Sequence, residues 1–353
     1  MTETDSTFAQ RLLRWFDVHG RHDLPWQIER SPYTTWVSEV MLQQTQVSAV
    51  IPYFRRFIDR FPDVHALATA DEDAVFAHWS GLGYYSRARN LHAAAKLCVE
   101  LHDGHIPNDP DALLALPGIG RSTAGAILAQ AYGLPYPILD GNVRRVLARY
   151  LGIEEWPGSA AAQRRLWDFA QNRVAADRTA DYTQAQMDLG SMICKPRKPR
   201  CAECPLQSDC QALAMERTDR IPVAKPRRER PTRHAVAAIL MHEDRVLLIK
   251  RPPAGIWSSL WTLPQADTTE SLLDSLPRVA AQLAAPVALD PIEHAFSHYD
   301  LHLQPLHFGT IELSPQISDR NDVRWLGYAE LNDVGLPAPI RTLLAHTILR
   351  KPQ

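Results

Sequence analysis

The spacing of the cysteines constrains this chain more than any other feature of its sequence. Four of the five cysteines, at positions 194, 201, 204 and 210, form the pattern C-x6-C-x2-C-x5-C. Four thiolates complete a tetrahedral zinc site or hold an iron–sulfur cluster. Zinc sites usually pair their cysteines as C-x2–4-C, and only Cys201 and Cys204 are spaced in that way. The first residues contain no secretion-signal pattern, so we expect a reducing cytoplasmic location (nucleoid-associated in a bacterium), where clustered cysteines favour a metal site over disulfides.

The chain of 353 residues is too long for one ordinary domain. Helical periodicity dominates from residue 7 to about 211, whereas residues 216–233 are basic and proline-rich and predict an extended linker. Beyond the linker, HAVAAILM and RVLLIKR, separated by the polar turn HED, predict a β-hairpin. The formal net charge of −2 does not indicate nucleic acid as a partner, so any DNA-binding surface is expected to be local.

A glycine-containing hairpin, LPGIG (116–120), lies between two predicted helices. Gly118 and Gly120 allow a tight turn, and the following helix then opens with unpaired N–H groups that suit a phosphate oxygen. An ordinary turn between helices is the alternative.

A single aspartate, Asp140, precedes a predicted helix that carries Arg144, Arg145 and Arg149. Asp commonly caps helices, so a purely structural role is the alternative to a functional one.

Taken together, these motifs resemble those of the MutY-type adenine DNA glycosylases, a family of the helix–hairpin–helix superfamily related to endonuclease III. An LPGIG hairpin followed twenty residues later by Asp is similar to the superfamily pattern, and SEVMLQQTQV (38–47) resembles the MutY segment that contains the general acid. The resemblance implies that Glu39 is the general acid, that Asp140 is catalytic and that Asn142 orients Asp140. It also favours iron–sulfur over zinc and implies one 4Fe–4S cluster held by Cys194, Cys201, Cys204 and Cys210.

The position just after the hairpin separates two activities within the superfamily. Relatives of endonuclease III that cleave the DNA backbone carry a lysine there, which forms a Schiff base with the sugar. This chain has Ser122, which cannot form an imine. We therefore expect a monofunctional glycosylase.

The same resemblance implies a set of substrate contacts. The adenine pocket is expected to comprise Trp26, Leu42 and Gln184, although some relatives carry Glu at the position of Gln184. Contacts to DNA, by intercalation or to its backbone, are expected from Gln44, Tyr84, Leu116, Gly118 and Gly120. The adjacent Tyr84 and Tyr85 lie among basic residues, which suits base stacking, with core packing as the alternative.

The C-terminal third resembles the opening of a Nudix fold, but the Glu-rich helix that would bind Mg²⁺ is missing. Its counterpart offers only Glu270 and Asp274 and contains Pro277. A Nudix pyrophosphohydrolase is therefore contradicted. By resemblance, Phe296, Ser297 and His298 form a loop that recognises 8-oxoguanine.

The fold expected is multidomain, with an all-α helix–hairpin–helix core, an iron–sulfur loop and a C-terminal α/β Nudix-like domain. The expected division is a cluster subdomain (1–27 plus 139–215), a helical barrel subdomain (28–138), the linker (216–233) and a Nudix-like lesion-recognition domain (234–353).

The function expected is excision of a flipped adenine from A:8-oxoG and A:G mispairs, and from A:C, in double-stranded DNA by a monomer that does not bind membranes. The alternatives are a glycosylase/lyase for damaged pyrimidines similar to endonuclease III, and a non-catalytic DNA-binding scaffold.

Overall fold

The protein is described from a computed structural model that covers residues 7–226, 229–276, 283–296, 298–310 and 322–349. Its contacts divide the chain into two compact units. The helical unit contains residues 1–69 and 90–227, and the sheet unit contains residues 70–89 and 228–353. The sequence analysis places residues 70–89 within the helical barrel subdomain, whereas the structure groups them with the C-terminal residues.

The helical unit is built from helices joined by short turns. Polar side chains define several helix starts: Asp109, Asp140 and Ser159 each accept a hydrogen bond from a main-chain N–H of the first helical turn. The helices are α1 (Phe8–His19), α2 (Pro25–Ile28), α3 (Pro32–Leu42), α4 (Val47–Arg60), α5 (Val64–Ala68), α7 (Ser86–Leu101, which begins in the sheet unit), α8 (Pro110–Ala115), α9 (Arg121–Tyr132), α10 (Gly141–Tyr150), α11 (Ala160–Gln171), α12 (Thr179–Asp188) and α13 (Gln211–Ala214).

Helices α9 and α12 lie at the centre of the helical unit. Helix α9 packs against α3, α8 and α12, and α12 also packs against α1 and α10. A π-helical turn, Leu189–Ile193, continues α12 towards the first cysteine of the cluster motif. The start of the predicted linker also packs here, because Ile221 is buried in the core that includes Leu147 and Leu166.

The sheet unit contains one mixed sheet with apolar residues on both faces. In the described residues its order is β3-β2-β1-β7-β5, with β4 on β1, β6 on β7 and β8 on β2. The central pair β1–β7 is parallel, and the predicted hairpin β1–β2 is antiparallel. The strands are β1 (Thr232–His242), β2 (Arg245–Lys250), β3 (Trp261–Thr262), β4 (Gln265–Ala266), β5 (Val287–Ala288), β6 (Ile292–Ala295), β7 (Asp300–Thr310) and β8 (Val323–Gly327).

The sheet unit also contains helices. They are α6 (Glu72–Trp79), α14 (Thr269–Ser275) and α15 (Ala338–Leu349). Alternation along β1 sends Ala237 and Ile239 into one apolar cluster and Ala238 and Leu240 into the other, as period-two strand geometry requires. In the part of the chain that the structure describes, none of the helices combines the length and apolarity needed to span a bilayer.

Candidate active site

Asp140 lies at the N-terminus of α10, as the sequence predicts. Its Oδ1 accepts a hydrogen bond from Val143 N at 2.7 Å, so it caps the helix. Burial raises the pKa of Asp140 above its usual value, and the main-chain N–H of Val143 and the positive charge of Arg145 oppose that rise. A capping role and a chemical role are therefore compatible in one side chain.

Glu39 lies near the end of α3 and retains partial exposure to solvent. Its Oε1 accepts a hydrogen bond from Gln130 Nε2 at 3.0 Å. Burial, followed by the negative charge of Asp140, raises the pKa of Glu39 to about 7. The structure thus brings these two predicted carboxyl groups within electrostatic reach of each other and leaves Glu39 close to half protonated at neutral pH.

Asn142 does not orient Asp140 through its side-chain oxygen. That oxygen, Oδ1, accepts from Arg145 Nη2 at 2.8 Å, while the main-chain N–H of Asn142 bonds to Asp140. Arg145 also donates to the carbonyls of Gly190 at 2.7 Å and Cys194 at 2.8 Å. A Cβ at Gly190 would come within 2.6 Å of the Cβ of Asn142, so a glycine is required there.

The LPGIG hairpin leads into α9 with two glycines that serve different purposes. Gly118 has a φ of +79°, and a Cβ there would lie 2.8 Å from Asn90 Cβ. Gly120 has a negative φ and open space around its Cα, and it offers no side-chain cap to α9. The first N–H groups of α9 therefore lack a side-chain cap. Leu116, at the start of the hairpin, is buried.

Ser122 has a structural bond that the sequence does not predict. Its Oγ accepts from Leu139 N at 3.0 Å, which ties the start of α9 to the residue before Asp140.

The residues predicted to form the adenine pocket differ in accessibility. Trp26 is buried against Phe54, with ring centroids 5.3 Å apart, and Leu42 is half-buried. Gln184 is buried and donates from Nε2 to Asp188 Oδ1 at 2.8 Å. Among the described residues its Oε1 has no hydrogen-bond partner, so this oxygen is available to accept.

Gln44 and Tyr84, both predicted to contact DNA, are exposed and have left-handed backbone conformations. Their φ values are +60° and +49°, in a region that is uncommon for residues other than glycine. Such conformations concentrate at ligand-binding and catalytic positions.

The four clustered cysteines line one cavity in the helical unit, together with Arg149, Ile193 and Leu213. Arg149 is buried, and its Nη1 lies 3.3 Å from Cys194 Sγ. The same guanidinium donates to the carbonyls of Lys195 at 2.7 Å and Pro196 at 3.1 Å. A cation and four thiols around one cavity fit a bound inorganic group that requires thiolates.

The predicted lesion loop lies at the tip of the hairpin formed by β6 and β7. Phe296 N donates to Tyr299 O at 2.9 Å, and the Phe296 ring packs against His294 and Tyr299. His298 is exposed, and Ser297 lies outside the described residues.

Comparisons with known proteins identify the domains in which these residues lie. Residues 37–172 match the model of the HhH-GPD superfamily base excision DNA repair protein, residues 194–210 the iron–sulfur binding domain of endonuclease III, and residues 235–346 the NUDIX domain. A solved thermostable thymine-DNA glycosylase is 26% identical and has a TM-score of 0.54, with 59% of this chain and 95% of that chain covered.

Full-length relatives decide the family. An adenine DNA glycosylase of Buchnera aphidicola subsp. Acyrthosiphon pisum (strain APS) is 35% identical over 341 residues, which cover 97% of each protein. The Homo sapiens adenine DNA glycosylase is 32% identical over 399 residues, with 95% of this chain and 73% of that protein covered. This chain belongs to the adenine DNA glycosylase family.

Membership of the adenine DNA glycosylase family confirms several predictions. The fold class is confirmed, since a helical helix–hairpin–helix core is followed by a sheet-containing Nudix-like domain. The chain is an enzyme of base excision repair that acts on N-glycosyl bonds in DNA, so the scaffold alternative is excluded. The cysteine motif is an iron–sulfur site.

The sequence analysis missed the residues that hold the catalytic groups in place. Gln130 bonds to Glu39, and its position in the apolar stretch AGAILAQAY was an available signal, because a polar residue on a buried helix face needs a partner. Arg145, and Asp188 with its partner Arg21, gave no comparable signal in the sequence.

Proposed function

We propose that this enzyme removes adenine from A:8-oxoG and A:G mispairs by hydrolysis and leaves the DNA backbone intact. The observation that carries the proposal is the pairing of Glu39, whose pKa is raised to about 7, with Asp140. One group supplies a proton at neutral pH and the other supplies negative charge, the division of roles found in glycoside hydrolysis.

In the proposed mechanism, Glu39 donates its proton to N7 of a flipped adenine. The N-glycosidic bond breaks, its electron pair stays with the base, and positive charge on the sugar is stabilised by Asp140. Water then adds to C1′ and returns a proton to Glu39, which yields an abasic site. Ser122 provides no amine for a Schiff base, and its Oγ is engaged by Leu139 N.

Adenine recognition is assigned to the amide of Gln184. Its NH₂ group is directed to Asp188, which leaves Oε1 as an acceptor without a partner in the described residues. A carbonyl oxygen accepts from the exocyclic amino group of adenine and repels the oxygen at the same position of guanine. Gly120 and the uncapped N–H groups of α9 are assigned to a DNA phosphate, because the open space at Gly120 permits a close approach.

The decisive test is single-turnover incubation with duplexes that contain A:8-oxoG, A:G, A:C or A:T. We expect adenine release from the mispairs alone, with strand cleavage only after alkali treatment. Release from A:T at a comparable rate, or strand cleavage without alkali, would contradict the proposal.

The pH dependence of adenine release is expected to be bell-shaped. Above about pH 7 the rate should fall towards tenfold per pH unit, because Glu39 loses the proton that it must donate. At low pH the rate should fall as Asp140 becomes protonated, and this limb should lie above the usual Asp range because burial raises the pKa of Asp140. Single-turnover rates between pH 4.5 and 9.5 test this, with mispair binding measured at each pH as the control. A flat alkaline limb would exclude Glu39 as the acid.

The cluster is proposed to be a single 4Fe–4S centre. In support, Cys194, Cys201, Cys204 and Cys210 line one cavity, and four cysteine thiolates are the usual ligands of such a cluster. The purified protein should absorb broadly near ~400 nm and contain about four irons. Replacing Cys204 by Ala should remove the iron and weaken DNA binding, whereas Cys98→Ala, which alters the cysteine outside the motif, should retain the iron. Stoichiometric zinc without iron, after expression with adequate iron, would contradict the assignment.

Discrimination of 8-oxoguanine from guanine is assigned to the loop that contains Phe296, Ser297 and His298. In support, the described helix α14 does not carry the Glu-rich cluster of a Nudix hydrolase. Its carboxylates are Glu270 and Asp274, and both are exposed. The Phe296 ring is packed and His298 is exposed at the hairpin tip. The exposed position of His298 supports a role of this loop in contacting DNA.

Replacing Ser297 and His298 together by Ala should lower the preference for A:8-oxoG over A:G by about 5- to 150-fold, the loss of one specific contact worth about 1–3 kcal/mol. Adenine release from A:G should persist, because Glu39 and Asp140 are unchanged. The measurement is the ratio of dissociation constants for the two mispairs at one salt concentration. An unchanged ratio would show that this loop does not recognise the lesion.

A further inference from the structure

Helix α6 is fixed to the sheet of its own unit by one nearly buried carboxylate, Asp73. Oδ1 of Asp73 accepts hydrogen bonds from Lys250 Nζ at 2.9 Å and from Trp261 Nε1 at 3.1 Å. Oδ2 of Asp73 lies 3.4 Å from Arg324 Nη1. These donors belong to β2, β3 and β8, so a single side chain joins the helix to three strands. The Asp73 side chain is only 9% exposed, so these charge-assisted bonds are shielded from water.

The residues after α6 make further bonds within the sheet unit. The Tyr85 hydroxyl donates to Leu336 O at 3.0 Å, and the Arg89 guanidinium donates to Ser258 O. Together with Asp73, these bonds fix residues 70–89 at both ends. This explains why the segment groups with the C-terminal residues although it lies among helices in the sequence.

Tyr84 lies in a turn that is hydrogen-bonded to the helix that Asp73 holds. Trp79 Nε1 donates to Gly83 O at 3.1 Å, and the buried Arg87 donates to the carbonyls of Leu82 and Gly83 at 3.2 Å each. Tyr84 itself is 57% exposed and has a backbone φ of +49°. Because the turn is bonded to α6, any displacement of α6 is transmitted to Tyr84.

We propose that Asp73 is a positioning residue for mispair recognition, through which the sheet unit sets the place of Tyr84. This inference rests on the proposed function and on the expectation, from the family resemblance, that Tyr84 contacts DNA beside the lesion guanine. Tyr84 and the loop at residues 296–299 belong to the same structural unit. Both lesion contacts are then presented by the sheet unit, and the chemistry is performed by the helical unit.

The test compares Asp73→Asn with its neighbour Glu72→Gln. Glu72 makes a longer ion pair, 3.6 Å to Lys250 Nζ, so Glu72→Gln removes an equal charge next to the anchor without removing the anchor. The quantity measured is the preference for A:8-oxoG over A:G, given as the ratio of the dissociation constants of the two mispairs at one salt concentration. We expect Asp73→Asn to lower this preference about tenfold, the scale of one strong contact between interacting residues. Glu72→Gln should leave the preference within twofold of the original protein. An unchanged preference in Asp73→Asn would overturn the proposal.

A double-mutant cycle with Tyr84→Ala separates positioning from general destabilisation. If Asp73 acts through Tyr84, Asp73→Asn should have no additional effect on the preference once Tyr84 is removed. Additive effects would mean that Asp73 acts independently of Tyr84. Tyr85→Phe provides a milder second variant, because it removes the hydroxyl that donates to Leu336 O and keeps the edge-to-face contact with Phe76 at 5.7 Å.

Hydrogen exchange in the DNA-free protein tests the anchor independently of the proposed function. Asp73→Asn and Tyr85→Phe should accelerate amide exchange in residues 80–85 and leave α9 unchanged. If exchange accelerates but Tyr84→Ala does not alter the mispair preference, the role proposed for Tyr84 fails while the anchor stands. If exchange in residues 80–85 is unchanged in both variants, the anchoring role of Asp73 is wrong.

Discussion

Glu39→Gln is expected to reduce the single-turnover rate of adenine release by about 10²- to 10⁴-fold, the usual contribution of a positioned general acid. Glutamine has nearly the same shape as glutamic acid and keeps an oxygen that accepts from Gln130, so the packing of α3 against α9 is retained. It has no proton to donate to N7 at any pH. Affinity for the mispair should change little, because the affected charge develops only in the transition state.

Protein stability provides the control for this variant. Burial raises the pKa of Glu39 from 4.5 to about 7, so the folded state binds more protons than the unfolded state between those pH values. The stability of the original protein therefore falls as pH rises from about 4.5 through about 7, whereas the uncharged glutamine escapes this loss. At pH 8 Glu39→Gln should be the more stable protein, by at most roughly 3 kcal/mol.

Urea unfolding of both proteins at pH 5 and pH 8 measures this difference. A variant that is inactive and at least as stable as the original has lost chemistry and not structure. Adenine release at a rate near that of the original protein would exclude Glu39 as the acid.

The helices that surround this site were predictable because their signals are local. Asp109, Asp140 and Ser159 cap α8, α10 and α11, and the helix predicted directly after Asp140 is α10, Gly141–Tyr150. Side-chain capping and helical periodicity depend on residues only a few positions apart, so they can be read from the sequence.

The contacts that assemble the site were not predictable in the same way. Gln130 reaches Glu39 across 91 positions, and Arg145 reaches the carbonyl of Cys194 across 49. No local pattern specifies such pairs, because they exist only once α3, α9 and the π-helical turn have packed. The grouping of residues 70–89 with the sheet unit has the same cause, since Asp73 meets Lys250 and Arg324 only in the folded chain.

Short elements were missed for a related reason. Strands β3, β4 and β5 contain two residues each, too few to produce a detectable alternation. Their conformation depends on pairing with β2, β1 and β7, which the sequence of each short segment does not encode.

Replacement of Asp140 by Asn should lower the rate of adenine release by about 10²- to 10³-fold, the range found when one electrostatic stabiliser of a transition state is removed. Asn caps helices as well as Asp does, so the bond from Val143 N at 2.7 Å and the start of α10 should persist. The variant therefore removes the charge and leaves the cap. Asp140→Ala removes both and should additionally lose about 1 kcal/mol of stability.

A second measurement on Asp140→Asn tests the coupling between the two carboxyl groups. The negative charge of Asp140 contributes to the raised pKa of Glu39, so its removal should lower the pKa of Glu39 below about 7. A carbon-13 NMR titration of labelled glutamate in the DNA-free protein, with Glu39→Gln used to assign the signal, measures that shift. DNA affinity should be retained or increased, because a carboxylate that repels phosphate has been neutralised. An unchanged pKa of Glu39, or adenine release within tenfold of the original rate, would show that Asp140 does not supply the stabilising charge and that its role is confined to capping α10.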